Sequence, residues 1–76
     1  MATAIKGHIY KHFKTGDLYI VRGIARHTER DERLVLYECL SNRHQILWAR
    51  PLEMFEEFVE KDGEQVERFE HVGFLP

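Results

Sequence analysis

One cysteine, one serine, one tryptophan and two prolines stand among 76 residues, and these scarcities exclude several classes of protein. A lone Cys39 cannot form an internal disulfide, so a chain this small must be held by its core alone, which points to a reducing, cytoplasmic setting. No apolar run approaches the ~20 residues of a membrane span, and Met1–Gly7 lacks the apolar stretch of a signal peptide. Ser41 is followed by His44 but has no glycine-bracketed elbow, so nucleophilic serine chemistry has no support. Cys39, placed within a strand, reads as a small buried hydrophobe rather than a reactive thiol. The five glycines are too scattered to cradle a phosphate. No cofactor is implied.

What is present suits one globular domain spanning residues 1–76, with its core at about residues 8–70. Hydrophobic residues make up 43% and charged residues 32%, enough apolar surface to collapse. The net charge of −2 is unevenly distributed. Residues 1–50 carry nine Lys/Arg against five Asp/Glu, and residues 51–76 carry two against eight. Strong nonspecific binding of nucleic acid is disfavoured, while a basic patch on the first fifty residues is allowed.

Turn signals recur at Thr15-Gly16, Glu29–Glu32, Ser41–His44 and Asp62-Gly63. Short strands between such signals predict a mostly β chain, a sandwich or small barrel of about five bent antiparallel strands. The strands fall at 8–13, 17–27, 33–40 and 45–50, followed by a hairpin of 57–61 and 64–70. A two-residue turn at Thr15-Gly16 would pair Phe13 with Leu18, His12 with Tyr19 and Tyr10 with Val21. The turn at 41–44 would pair Cys39 with Ile46 and Tyr37 with Trp48. Gly23 inside a long strand predicts a bulge or bend. Leu52, Phe55 and Val59 after Pro51 have helical spacing, but Asp62-Gly63 is the stronger signal. It sets Lys61 against Glu64, Val59 against Val66 and Glu57 against Arg68. The expectation is a short helical turn at 51–55, then the hairpin.

The five histidines raise the question of a metal. His8 and His12 share a strand face but lie ~13 Å apart, too far to chelate one ion together. His27, His44 and His71 fall in turns or strand ends, and no metal site is expected. The glutamates of residues 53–70 alternate with apolar residues as a solvated face does, without the contrasting environments of an acid–base pair.

Aromatic residues are the better lead. Tyr37 and Trp48 oppose each other with Val35 and Arg50 on the same face, while Leu34, Leu36, Leu40, Leu47 and Ala49 line the other. Either both faces are buried, with Trp48 the main core aromatic, or the leucine face fills the barrel and the Tyr37/Trp48/Arg50 face is open. An open aromatic pair beside arginine has the composition of a recognition hot spot or a base-stacking surface. The candidate binding residues are His12, Tyr19, His27, Tyr37, Trp48 and Arg50. An alternative is an enzyme, or an enzyme's accessory domain, with a shallow site at His12, Arg26 and His27.

Several blocks together form a recognisable series: Tyr-Lys-His-Phe-Lys at 10–14, Gly-Ile-Ala-Arg-His-Thr-Glu at 23–29, and Trp-Ala-Arg-Pro-Leu-Glu-Met-Phe at 48–55. The chain resembles a bacterial family of small proteins known as a domain of unknown function. The resemblance spans about residues 8–70 and implies a small SH3-like barrel. Polar residues at 41–45 and Ala49 depart from the family pattern. No activity follows from the resemblance. The expected role is a noncatalytic binding module for a protein or peptide, with nucleic acid as a further possibility and no membrane partner. A monomer or a self-associating homodimer would both serve.

Overall fold

In a computed structural model, which describes residues 4–41 and 46–74, the chain is built almost wholly from strands. In chain order these are β1 (His8–His12), β2 (Leu18–His27), β3 (Glu32–Cys39), β4 (Trp48–Pro51), a helical turn α1 (Leu52–Phe55), β5 (Phe58–Lys61), β6 (Glu64–Glu67) and β7 (Phe69–Phe74). Five strands form one antiparallel sheet in the order β4-β3-β2-β1-β7, and β5 pairs with β6 in a second. The mostly β class is as the turn spacing predicts. The barrel does not close: β4 and β7 are the two edges, and among the described residues no ladder joins them. The chain spends β5 and β6 on a separate ribbon instead of on a closing strand.

Local turn chemistry explains most of the elements. Asp62 and Gly63 adopt φ of 54° and 82°. Positive φ at both central residues gives the primed turn whose twist matches a hairpin. The ladder then runs through Lys61–Glu64, Val59–Val66 and Phe58–Glu67. It is extended by an Arg68 N–H donating to the Glu57 carbonyl at 3.0 Å. Gly23 follows a bulge: Val21 opposes Tyr37 and Gly23 opposes Leu36, leaving Arg22 as the extra residue. Pro51 caps α1, where its missing N–H costs nothing, and Glu56 N–H closes the turn on the Leu52 carbonyl at 3.0 Å.

The first hairpin differs from expectation by two residues. Tyr10 opposes Tyr19 and Lys11 opposes Leu18. His12 N–H bonds the Asp17 carbonyl at 2.9 Å, and Gly16 N–H folds back to the His12 carbonyl at 2.9 Å. The connection is thus a four-residue loop at 13–16, with Gly16 at φ 76°. Because side chains alternate with a period of two, a two-residue shift leaves every residue on its expected face. Tyr37 does oppose Trp48. The loop expected at 41–44 lies, but for Ser41, outside the described residues, and β4 begins at Trp48.

The core is aromatic. Tyr10, Val21, Val35, Tyr37, Phe55 and Phe69 form one buried cluster. Phe55 stacks flat on Phe69 with ring centroids 4.2 Å apart. The sheet curls so that Phe69 of its edge strand β7 reaches Tyr37 of β3, and Phe55 of α1 stacks on Phe69 to complete the cover. The leucine face is therefore not the interior. Leu18 and Leu40 are exposed on it, Leu34 and Leu36 are half-buried, and Ile20 alone is fully covered there. Tyr37 is 5% exposed and belongs to the core, whereas Trp48 beside it is 47% exposed. Phe55 and Phe69 cover Tyr37 of β3, and Phe69 meets Arg50 of β4, but among the described residues no ring contact joins either to Trp48, which stays outside.

Candidate functional site

Phe69 opens β7, directly opposite His12 of β1. Four of the six candidate residues gather around it. The rings of His12, Tyr37 and Tyr19 lie at 5.0, 5.4 and 5.7 Å from the Phe69 ring, all edge-on. The Arg50 guanidinium lies over the Phe69 face at 5.5 Å, within cation–π range. Its Nε donates to the Tyr37 hydroxyl at 3.3 Å. Strand alternation accounts for the arrangement: residues 10 and 12, 19 and 21, 35 and 37, and 48 and 50 all face the cover. Tyr37 and Phe69 form the floor, while His12, Tyr19 and Arg50 are half-buried at the rim.

The electrostatics of the rim are those of a neutral imidazole among cations. Burial against the aromatic cluster pushes the His12 pKa below its ordinary 6.5, and the charges of Arg50 and then Arg68 push it the same way. His12 Nδ1 accepts the Lys14 N–H at 3.1 Å, so in the neutral ring Nε2 carries the proton. Burial also raises the Tyr19 pKa above 10.0, aided by Cys39 and Asp17, so its hydroxyl stays protonated at neutral pH. Arg68 is engaged with Glu57, Nε to Oε1 at 3.1 Å. Arg50 has no ion pair with a carboxylate among the described residues. The rim thus offers an imidazole N–H, a phenol and an uncompensated guanidinium over an apolar floor. That set suits a carboxylate attached to an apolar group.

His27 and Arg26 are elsewhere. They end β2, eight and nine residues beyond its start and on the order of 30 Å along the strand from the His12 end. His27 Nδ1 accepts the N–H groups of Glu29 and Arg30 at 3.2 and 3.3 Å, and Arg26 pairs with Asp31 across the same turn. These are turn-holding roles. The structure does not bring His12, Arg26 and His27 together. A separate groove of about 420 Å³ runs between the end of β1 and the β5–β6 ribbon. Its cations are already engaged: Lys11 faces Glu70 at 3.6 Å, and Lys61 Nζ donates to the Phe13 carbonyl at 3.1 Å.

Sequence reasoning did not single out Phe69, the residue on which the rim is built. The signal was the alternation of Phe69 and His71 continuing past the hairpin, which marks a further strand. Among the described residues no cluster of three or more metal-ligating side chains occurs, and no helix is long and apolar enough to cross a membrane.

Fold and rim together define a small two-sheet β domain with an aromatic, cationic edge. The family model described as "Protein of unknown function (DUF1653)" matches residues 8–71. The crystal structure of a DUF1653 protein from Bordetella bronchiseptica is similar throughout, with a TM-score of 0.79 and 33% identity. That match covers 95% of this chain and 92% of the other. The chain belongs to the DUF1653 family. No curated protein matches it.

Proposed function

We propose that this protein is a noncatalytic binding module that takes an extended acidic peptide segment of a partner protein along β4. The observation that carries this is Trp48, 47% exposed on an edge strand and two residues from an arginine with no carboxylate partner among the described residues. An edge strand offers unpaired backbone groups to an added strand, and alternate side chains supply specificity. Trp48 and Arg50 lie on one face of that edge, with Tyr19 and His12 behind them. Pro51 ends the strand and limits the added segment to a short one. A short peptide with few carboxylates, one of which Arg50 can meet, is favoured over nucleic acid. The phosphate at every nucleotide would be repelled by residues 51–76, with two basic against eight acidic side chains. A bacterial, cytoplasmic setting fits the free thiol of Cys39 and the Bordetella relative.

The test is an NMR titration of the whole protein with capped hexapeptides alternating glutamate and leucine, against the same peptides carrying glutamine. Shifts along β4 with the acidic set alone are expected, and Trp48→Ala or Arg50→Met should remove them while the spectrum stays folded. Equal response to both sets, or binding that survives Trp48→Ala, would refute the proposal. Salt-dependent binding of a single-stranded oligonucleotide at the same residues, without peptide binding, would move the assignment to nucleic acid.

A further inference from the structure

The two histidines farthest apart in sequence meet in the fold. His8 of β1 and His71 of β7 approach with Nδ1 of one 2.8 Å from Nε2 of the other, and their ring centroids are 5.0 Å apart. Neither position explains this by simple pairing, since His8 opposes Phe74 and His71 opposes Tyr10. The ladder skips Val72 between Gly73 and His71, and that bulge brings the two rings together diagonally. Both rings are held from behind. His8 stacks on Phe74 at 5.2 Å, and His71 meets the edge of the buried Tyr10 at 5.4 Å. His71 is exposed and His8 half-buried, so the pair opens to solvent.

From this geometry we infer that His8 and His71 form a two-histidine site for a first-row divalent transition-metal ion, such as copper, nickel or zinc. Two imidazole nitrogens each ~2.0–2.1 Å from one metal lie about 2.8–3.4 Å apart, depending on the coordination angle. The 2.8 Å separation is at the lower end of that range. Exchanging the shared proton for an ion therefore changes the N–N separation by roughly half an ångström or less, while each ring turns to aim its lone pair at the ion instead of at the other nitrogen. Imidazole selects these borderline ions over magnesium and calcium, which prefer oxygen. No third histidine, cysteine or carboxylate joins the pair among the described residues. Water completes the coordination, and the site is open to an outside ligand. It lies at the β1–β7 edge, away from Trp48 on β4, and is independent of peptide binding.

Calorimetric titration of the full chain with copper or zinc chloride tests this. One ion per chain is expected, with magnesium chloride giving no heat. His8→Gln and His71→Gln should each weaken binding ~10-fold or more, and the double variant little beyond either, as for two ligands of one ion. His27→Gln should leave binding unchanged. In the unaltered protein, copper should broaden NMR signals of β1 and β7 around His8 and His71, a readout that needs no variant to fold. Broadening centred elsewhere, retention of full affinity in His71→Gln, or absence of binding by both metals would overturn the inference.

Discussion

The two ends of β2 carry the same kinds of residue and make different things of them. At its start, Tyr19 lies beside His12 and Arg50, with Arg68 near His12; at its finish stand Arg26 and His27. The first group surrounds a phenylalanine that is 1% exposed. The second stands where β2 and β3 run on past the aromatic cover, and Ile24 near it is 47% exposed. His12, packed on buried rings, loses solvation and is held neutral, and Arg50 over them finds no carboxylate among the described residues. At the far end His27 meets turn amides and Arg26 meets an aspartate. Proximity to the apolar cluster, rather than residue type, separates a recognition surface from a turn.

The sharpest way to break this contrast is to remove the phenylalanine. Phe69→Ala should destabilise the fold by about 3–5 kcal/mol, seen in urea denaturation, and erase the His12 environment. Ile24→Ala at the other end should cost less than about 1 kcal/mol. Equal costs would show that the two ends are equivalent. Next in size, Trp48→Ala should lose peptide binding with little change in stability, because the side chain is outside the cover. Unfolding of this variant would place Trp48 in the core.

The pH dependence sharpens the comparison further. His12 has a folded-state pKa below its ordinary 6.5, so the unfolded chain takes up the proton first as pH falls. Its stabilising contribution is complete above 6.5 and is lost as pH drops from there toward the folded value. Tyr10 and Tyr19 have pKa values raised above 10.0 by burial, so the unfolded chain ionises first in base and stability falls as pH climbs past 10. Denaturant midpoints across pH should therefore decline on both sides. Arg50→Met should raise the His12 pKa, read from its imidazole NMR signals; an unchanged titration would remove Arg50 from its surroundings. The smallest effect belongs to the far end. Arg26→Met breaks an exposed pair with Asp31 and should change stability by no more than about 1 kcal/mol.

Much of this architecture was readable in short stretches of chain. The primed turn at Asp62-Gly63 is set by two adjacent residues, and the bulge before Gly23 and the turn after Pro51 are similarly local. The register of the first hairpin was less legible, because Thr15-Gly16 is compatible with a two-residue or a four-residue connection. The register of Tyr10 with Tyr19, with the hydrogen bonds from His12 to the Asp17 carbonyl and from Gly16 to the His12 carbonyl, decides between them. Tyr37 and Trp48 were correctly set opposite each other, but their fates diverged. Both faces of that hairpin are apolar, so the pattern did not reveal which one Phe55 and Phe69 would cover. Four of the six candidate binding residues converge around Phe69, Trp48 stands apart on the open edge, and His27 ends β2, where its ring holds the following turn.

The scarcity of cysteine, proline and long apolar runs already required a small, self-supporting core, and turn chemistry with period-two alternation determined the strands and their faces. These are short-range effects, governed by backbone sterics and neighbouring side chains. The fold alone decided that the barrel stays open, that Phe69 becomes the hub, and that Trp48 lies outside. It also decided that His8, unable to reach His12 along its own strand, meets His71 across the sheet. Such contacts join segments some sixty residues apart. Their energy comes from covering a shared apolar surface, which no single stretch of the chain contains.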